Sequence, residues 1–173
     1  MRLDLGGIAA GYAVDEALKA LRERGITSAL VNASGDVGVS DQPPGTDGWR
    51  LGVVPDGQNG EPTRYLLIAN AAVTTSGDAY QFVELDGHRY SHIVDPHTGL
   101  GLTSRISATV VAKDCITADS VATAVCVLGS ERGIKFVEAR PELAAMITVA
   151  EGDSVRTIES PNFAWFAAPP SSE

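Results

Sequence analysis

Three side chains have types and settings that suit chemistry: His92, Asp119 and Thr123. His92 lies in Arg89 to Gly99, RYSHIVDPHTG, where an alternating apolar run meets Asp95-Pro96. The residue before a proline is driven out of the helical region, so the chain turns there and an imidazole is left beside a rigid polar corner. Asp119 and Thr123 stand four apart in Thr117 to Leu128, TADSVATAVCVL, an apolar helical pattern that projects both oxygens from one face. A carboxylate and a hydroxyl so placed are hard donors of the kind magnesium takes. Plainer readings stand beside these. A His at a strand end commonly serves as a turn or core hydrogen-bonder, and Asp119 would be favourable charge in the first turn of a helix that began at Thr117.

The elements that must position these residues follow from the pattern. Leu3-Asp4-Leu5 reads as the end of a strand. Gly6-Gly7 leads into an amphipathic helix from about Ile8 to Arg24, with Ala9, Ala13, Ala17 and Leu21 on one line, Val14 and Leu18 beside it, and Gly25 as its stop. The small residues at 9, 10, 11 and 13 allow close approach by backbone or ligand. A strand from Ala29 to Asn32 turns through Ala33-Ser34-Gly35-Asp36 into a short strand ending at Val39, and that turn could present backbone N–H groups to an anion. Strands over Trp49 to Val54 and Tyr65 to Ala69 flank a Gly/Pro loop from Pro55 to Pro62. Tyr80 to Leu85 and His88 to Val94, joined by Asp86-Gly87, give the strongest hairpin signal, because Asp-Gly suits a type I′ turn. Arg105 to Ala112 alternates as a half-buried strand. The helix from Thr117 ends at Gly129, and a second runs from about Glu131 to Ala139. A last hairpin, Leu143 to Val149 with Val155 to Ile158, turns at Gly152-Asp153; Asn162 to Phe166 tucks an aromatic tail against the body, and PPSSE frays. About eight strands and three helices with short connections predict an α+β fold, a largely antiparallel sheet with its helices on one side.

Composition narrows the function. The 173 residues, 44% of them hydrophobic, suffice for one core and one domain. Thirteen basic against 22 acidic residues leave a net charge of -9, with no Lys/Arg cluster, which argues against nucleic acid or an anionic membrane as partner. A phosphorylated small molecule would need a recruited cation or a helix N-terminus. Cys115 and Cys126 stand in neither a CxxC nor a zinc spacing, and Cys126 reads as core filler. No leader-like opening and no window long enough for a membrane span are present, so the expectation is a cytoplasmic chain or an excised piece.

Five blocks, DLGGIAAGYAVD (Asp4 to Asp15), LVNASGD (Leu30 to Asp36), VTTSGD (Val73 to Asp78), Tyr90 to Gly99 and TADSVATAVCVLG (Thr117 to Gly129), resemble the ApbE family in family order. These are the FAD:protein FMN transferases, formerly described as thiamine biosynthesis lipoproteins, with a T-fold-related core. The resemblance implies a magnesium-dependent enzyme that moves FMN from FAD onto a threonine hydroxyl of an acceptor protein and releases AMP. Carried over by motif, Asp119 and Thr123 would ligate the metal by side chain, and the carbonyls of Gly7 and Ala122 would complete it. Asp4 and the backbone near Ile93 would touch FAD, and His92 would lie near the attacking hydroxyl. Ala10 stands where the family's G-I-A-K-G block has a lysine, which removes a cation expected near FAD.

Family members also carry a long segment ahead of the D-L-G-G block, so the chain is read as the family's C-terminal portion, truncated at its N-terminus, with part of the flavin pocket elsewhere. That reading implies self-association or a partner supplying the missing region, and an extracytoplasmic, membrane-associated setting if the chain is a fragment of a typical member. Three functions are consistent with it: an FMN transferase, a degenerate flavin-nucleotide or metal-binding module without turnover, and a structural subunit that pairs through a sheet edge.

Overall fold

The strand Ile106–Ala112 (β8) is buried at every position, and the fold is layered around it. The computed structural model describes residues 3–54, 62, 64–78, 81–152 and 154–169. With Leu30–Ala33 (β1), Asp36–Val39 (β2), Ala71–Gly77 (β5), Ala144–Glu151 (β9) and Ser154–Glu159 (β10), this strand forms a six-stranded sheet in the order β1-β2-β5-β8-β9-β10, antiparallel throughout. Two hairpins are excursions from it: Trp49–Val53 with Arg64–Ile68 (β3 and β4) and Phe82–Leu85 with His88–Ser91 (β6 and β7).

The helices Ala9–Glu23 (α1) and Cys115–Glu138 (α2) pack on one face of the sheet, as the α+β expectation required. There Ile106, Ala108 and Val110 meet Ala118, Ala122 and Val125. The opposite face is covered too. Val53, Leu66 and Ile68 of the β3–β4 hairpin and Phe163 of the 3₁₀ turn Phe163–Phe166 lie over Val73, Val111 and Met146. This second layer corrects the half-buried reading of Arg105 to Ala112, because alternation in a strand reports one covered face and here both are. Phe163 is buried as the tucked aromatic tail requires, whereas Trp165 is 80% exposed.

Several boundaries have local causes. Asp86 and Gly87 both take positive φ, 51° and 77°, the geometry a two-residue type I′ turn demands. α2 starts at Cys115 and not Thr117, because the Asp114 side chain accepts from the Thr117 N–H and caps the helix two residues earlier. Gly129 breaks the helix at φ 76°, ψ 169°, and the segment after it folds back: a Cβ on Gly133 would lie 2.8 Å from Val125 Cγ1. Leu3 to Leu5 is not a strand. Leu3 and Leu5 are exposed, and the Leu5 carbonyl accepts from Ile8 and Ala9 to begin α1.

The inward line of α1 also differs from the expected one. Gly11 and Val14 are buried and Leu18 packs on the core, while Ala9 and Ala13 are exposed. A Cβ on Gly38 of β2 would fall 2.7 Å from Val14 and 2.8 Å from Leu18, so the helix lies almost on the sheet backbone. Cys115 and Cys126 are buried free thiols. Most of the loop expected before Pro62, the Tyr80 start of the hairpin, Asp153 of the last turn and the tail after Pro169 lie outside the described residues. Among the described residues no helix is long and apolar enough to cross a membrane.

Candidate functional site

Polar groups converge where the start of α1 meets the flank of α2, above β2 and β5. Asp119 is 4% exposed, and its Oδ2 accepts from the Gly11 N–H at 3.0 Å. One turn further along α2, the Thr123 hydroxyl lies 3.0 Å from Ser76 Oγ of β5. Gly7 closes the corner, since a Cβ there would sit 3.0 Å from Thr123 Cγ2 and 3.1 Å from its hydroxyl. Only glycine allows such an approach without displacing the threonine. With the helix capped at Asp114 there is no acid in the first turn of α2, so the first-turn explanation of Asp119 falls away.

Gly11 sets how closely the helices meet. A Cβ at this position would be 2.4 Å from the Cys115 carbonyl oxygen and 2.9 Å from Asp119 Cβ. Gly11→Ala is therefore expected to cost about 1–3 kcal/mol in urea unfolding, the range for overpacking, because backbone and not a flexible side chain must yield. An unchanged midpoint would mean that the helices separate freely.

Burial dominates the electrostatics of this site. Burial, then the neighbouring Asp119, pushes the Asp36 carboxyl above its ordinary value, and the Thr74 hydroxyl offsets this in part. Burial likewise raises Asp119 against the lowering effect of the Gly11 N–H. Cys115, with its thiol 3.8 Å from the Thr74 hydroxyl, is pushed up to about 12, mainly by burial. Cys126 is also raised to about 12 by burial. Neither thiol is a nucleophile near neutrality.

His92 follows β7 and is exposed. The Gln81 carbonyl accepts from the His92 backbone N–H at 3.0 Å and lies 3.1 Å from its Nδ1. With Nδ1 protonated, this carbonyl orients the ring and leaves Nε2 as the proton acceptor. The hairpin is tied to the end of β5 through Arg89, whose Nε lies 3.1 Å from Asp78 Oδ2 and whose guanidinium stacks 3.6 Å over the Phe82 ring. Asp78 is two residues beyond Ser76, so this tie anchors the hairpin to the strand that carries the oxygen cluster.

The remaining residues singled out from sequence are placed less directly. Asp4 is exposed and its Oδ1 accepts from the Gly6 N–H at 2.7 Å. Ala10 is partly exposed at the second position of α1. Ala122 is fully buried within α2, where the helical ladder engages its carbonyl. Ile93 is buried, with its N–H donating to Ser91 Oγ at 3.0 Å and its carbonyl accepting from Leu102 at 2.8 Å, so a ligand could use only the second lone pair of that carbonyl. In the Ser34-Gly35 turn the Gly35 N–H is already held by Asn32 Oδ1 at 2.9 Å.

Ser76 and Asp36 were not identified as site residues from sequence, although both lie in the blocks VTTSGD and LVNASGD. Among the described residues no group of three or more His, Cys, Asp and Glu side chains gathers as a metal cluster. The side-chain donors facing the corner are the carboxylate of Asp119 and the hydroxyls of Thr123 and Ser76.

An antiparallel sheet with helices on one side is the fold this chain shares with solved ApbE flavin transferases. The ApbE protein of Thermotoga maritima superposes with a TM-score of 0.84 at 33% identity, covering 97% of this chain and 54% of that one. The flavinyl transferase ApbE of Pseudomonas stutzeri, in its apo form, gives 0.80 at 33% identity, covering 95% and 51%. The chain belongs to the ApbE family, whose model matches residues 1–147. Its curated relatives include the FAD:protein FMN transferases of Vibrio cholerae, 32% identical over 163 residues, and of Escherichia coli, 32% identical over 166. These matches take in 93% and 95% of this chain but 48% and 47% of the relatives, so the chain spans about half their length.

Proposed function

We propose that the chain carries the metal-binding and catalytic face of a magnesium-dependent FAD:protein FMN transferase, which moves FMN from FAD to a threonine hydroxyl of an acceptor protein and releases AMP. The observation that most supports this is the junction itself, where Gly7, Asp119, Thr123 and Ser76 bring hard oxygens together and burial raises the Asp119 and Asp36 carboxyls above their ordinary values. Magnesium keeps several waters and needs few protein ligands, so a site of this size fits it without a cluster of acids.

On this reading Asp119 and Thr123 hold the cation with the carbonyls of Gly7 and Ala122, and Ser76 fixes the Thr123 rotamer. When bound, the cation draws charge from the diphosphate and eases departure of AMP. The threonine oxygen bonds to the phosphorus of the FMN half, the P–O bond to AMP breaks, and the threonine proton passes to His92 Nε2. Asp4, with one carboxylate oxygen turned back on Gly6, offers its other oxygen to FAD. The chain corresponds to the C-terminal portion of a family member, and a segment of the same or another polypeptide contributes the rest of the flavin pocket. The exposed apolar side chains of Leu3, Leu5, Val83 and Leu85 are surface that such a segment or a second copy would cover.

The test is incubation with FAD, magnesium and a threonine-containing acceptor polypeptide, alone and with a complementing N-terminal segment, followed by intact-mass measurement. Addition of one FMN to the acceptor is the expected result. Confirmed binding of FAD and metal without transfer in any mixture would instead favour a degenerate flavin-nucleotide and metal-binding module. Ala10 is the feature that favours this second reading, because the family pattern has a lysine there. Ala10→Lys is expected to tighten FAD binding by about 1–2 kcal/mol in calorimetry, the worth of a charge-assisted hydrogen bond. No tightening would place the nucleotide away from the start of α1.

A further inference from the structure

Three contacts of α1 and the turn before it with α2 recur at a fixed interval. Gly7 abuts Thr123, Gly11 donates to Asp119, and Asp15 meets Cys115, so each step of four residues along one chain segment is matched by four in reverse along the other. The third contact is the strongest in polar terms. Asp15 Oδ1 accepts from the Cys115 N–H and Oδ2 from the Ile116 N–H, both at 2.8 Å, across a hundred residues of chain. These are orphan donors of the first turn of α2, and a charged acceptor strengthens both bonds. α2 also has its own cap, Asp114, which takes the Thr117 N–H at 3.0 Å without reaching α1. One carboxylate therefore serves the helix alone and the other joins it to its neighbour.

We propose that Asp15 is a positioning residue that fixes the register of α2 against α1 and so holds Asp119 and Thr123 at the corner closed by Gly7. The consequence for binding rests on the cation reading above; the register itself does not. A slip of one residue moves a helix by about 1.5 Å along its axis, more than a ligand set tolerates. The contact at Gly7 is packing alone and that at Gly11 is a single hydrogen bond, whereas Asp15 holds two successive N–H groups of α2 at once. Asp15 therefore supplies the two-point anchor at the far end of the seam.

The test compares Asp15→Ala and Asp15→Asn with Asp114→Ala in the full chain. The readouts are manganese titration in the presence of FAD, the thermal midpoint, and hydrogen exchange at the Gly11 amide. Asp15→Ala is expected to weaken manganese binding by about 10- to 100-fold, the usual effect of losing a group that orients ligands, and to strip protection from the Gly11 amide while amides of β8 and β9 keep theirs. Asp15→Asn keeps one acceptor oxygen and should fall between, and it decides the matter if the alanine variant does not fold. Asp114→Ala should lower the midpoint while leaving manganese affinity and Gly11 protection as in the parent.

The proposal is overturned if the Asp15 variants match Asp114→Ala in manganese affinity and Gly11 protection, since both would then be plain helix caps. If the parent itself binds no manganese with FAD present, the cation reading fails, and Gly11 exchange alone decides: protection lost in the Asp15 variants upholds the register role, and protection retained ends it.

Discussion

Asp119→Ala is expected to abolish nucleotide-dependent binding of magnesium or manganese, as measured by calorimetric titration of the metal in the presence of FAD. Asp119 is the one carboxylate reaching the corner from α2, and it is buried beside the Gly11 N–H. A cation that keeps most of its waters depends heavily on its single charged ligand. Asp119→Asn makes the sharper comparison, because the amide oxygen can still accept from Gly11 while the charge is gone. Thr123→Val keeps the shape but loses the hydroxyl. It should weaken the metal and cost about 0.5–1.5 kcal/mol of stability, the worth of the hydrogen bond to Ser76.

The metal-free protein supplies an independent check. Burial holds the Asp119 and Asp36 carboxyls above their ordinary 3.8, so the stabilisation from keeping them protonated is complete below that value and is lost as pH rises through their raised folded values. Asp119→Asn should remove part of that loss, leaving the apo protein at least as stable as the parent at neutral pH in urea unfolding. If Asp119→Ala binds metal as the parent does, the carboxylate is only a helix-packing partner of Gly11.

Features that depend on local backbone chemistry were legible in the sequence. Asp86-Gly87 specifies its hairpin because both positions need positive φ, and Gly129 stops a helix for the same reason. The i, i+4 spacing of Asp119 and Thr123 was likewise enough to put both oxygens on one face. Features that depend on what lies across the contact were not. The inward line of α1 passes through Gly11, whose burial comes from backbone proximity to Cys115 and leaves no hydrophobic signal, so the alanine line looked more apolar than the true one. The full burial of β8 required knowing that the β3–β4 hairpin folds over the second face. Ser76 reaches the corner, and Asp36 lies near enough to Asp119 to feel its charge, from strands far away in sequence that the order of the sheet brings together. The expected helix start at Thr117 lies three residues after the observed cap, Asp114. That difference moves Asp119 out of the first turn of α2.

His92→Ala is expected to leave FAD and metal binding nearly unchanged while lowering the rate of FMN transfer by roughly 10²- to 10⁴-fold, the usual worth of a general base. A threonine hydroxyl is a poor nucleophile until its proton is taken, and the group that takes it needs an open lone pair in a fixed direction. His92 meets both conditions, because the Gln81 carbonyl accepts from the backbone N–H and orients Nδ1, and the residue is exposed. The other two histidines are placed differently. His88 opens β7 opposite Leu85, at the far end of the hairpin from Ser91. His97 sits in the turn closed by Asp95, whose side chain takes the His97 N–H at 2.8 Å and whose carbonyl takes that of Gly99 at 2.8 Å. His88→Ala and His97→Ala should therefore transfer at the parent rate, so that a loss confined to His92→Ala cannot be ascribed to a general change in charge. The measurement is a time course of covalently attached FMN by mass spectrometry, run with the chain alone and with any complementing segment, at saturating FAD and magnesium. A loss of affinity in place of rate would make His92 a binding contact, and undiminished transfer in His92→Ala would remove it from the mechanism.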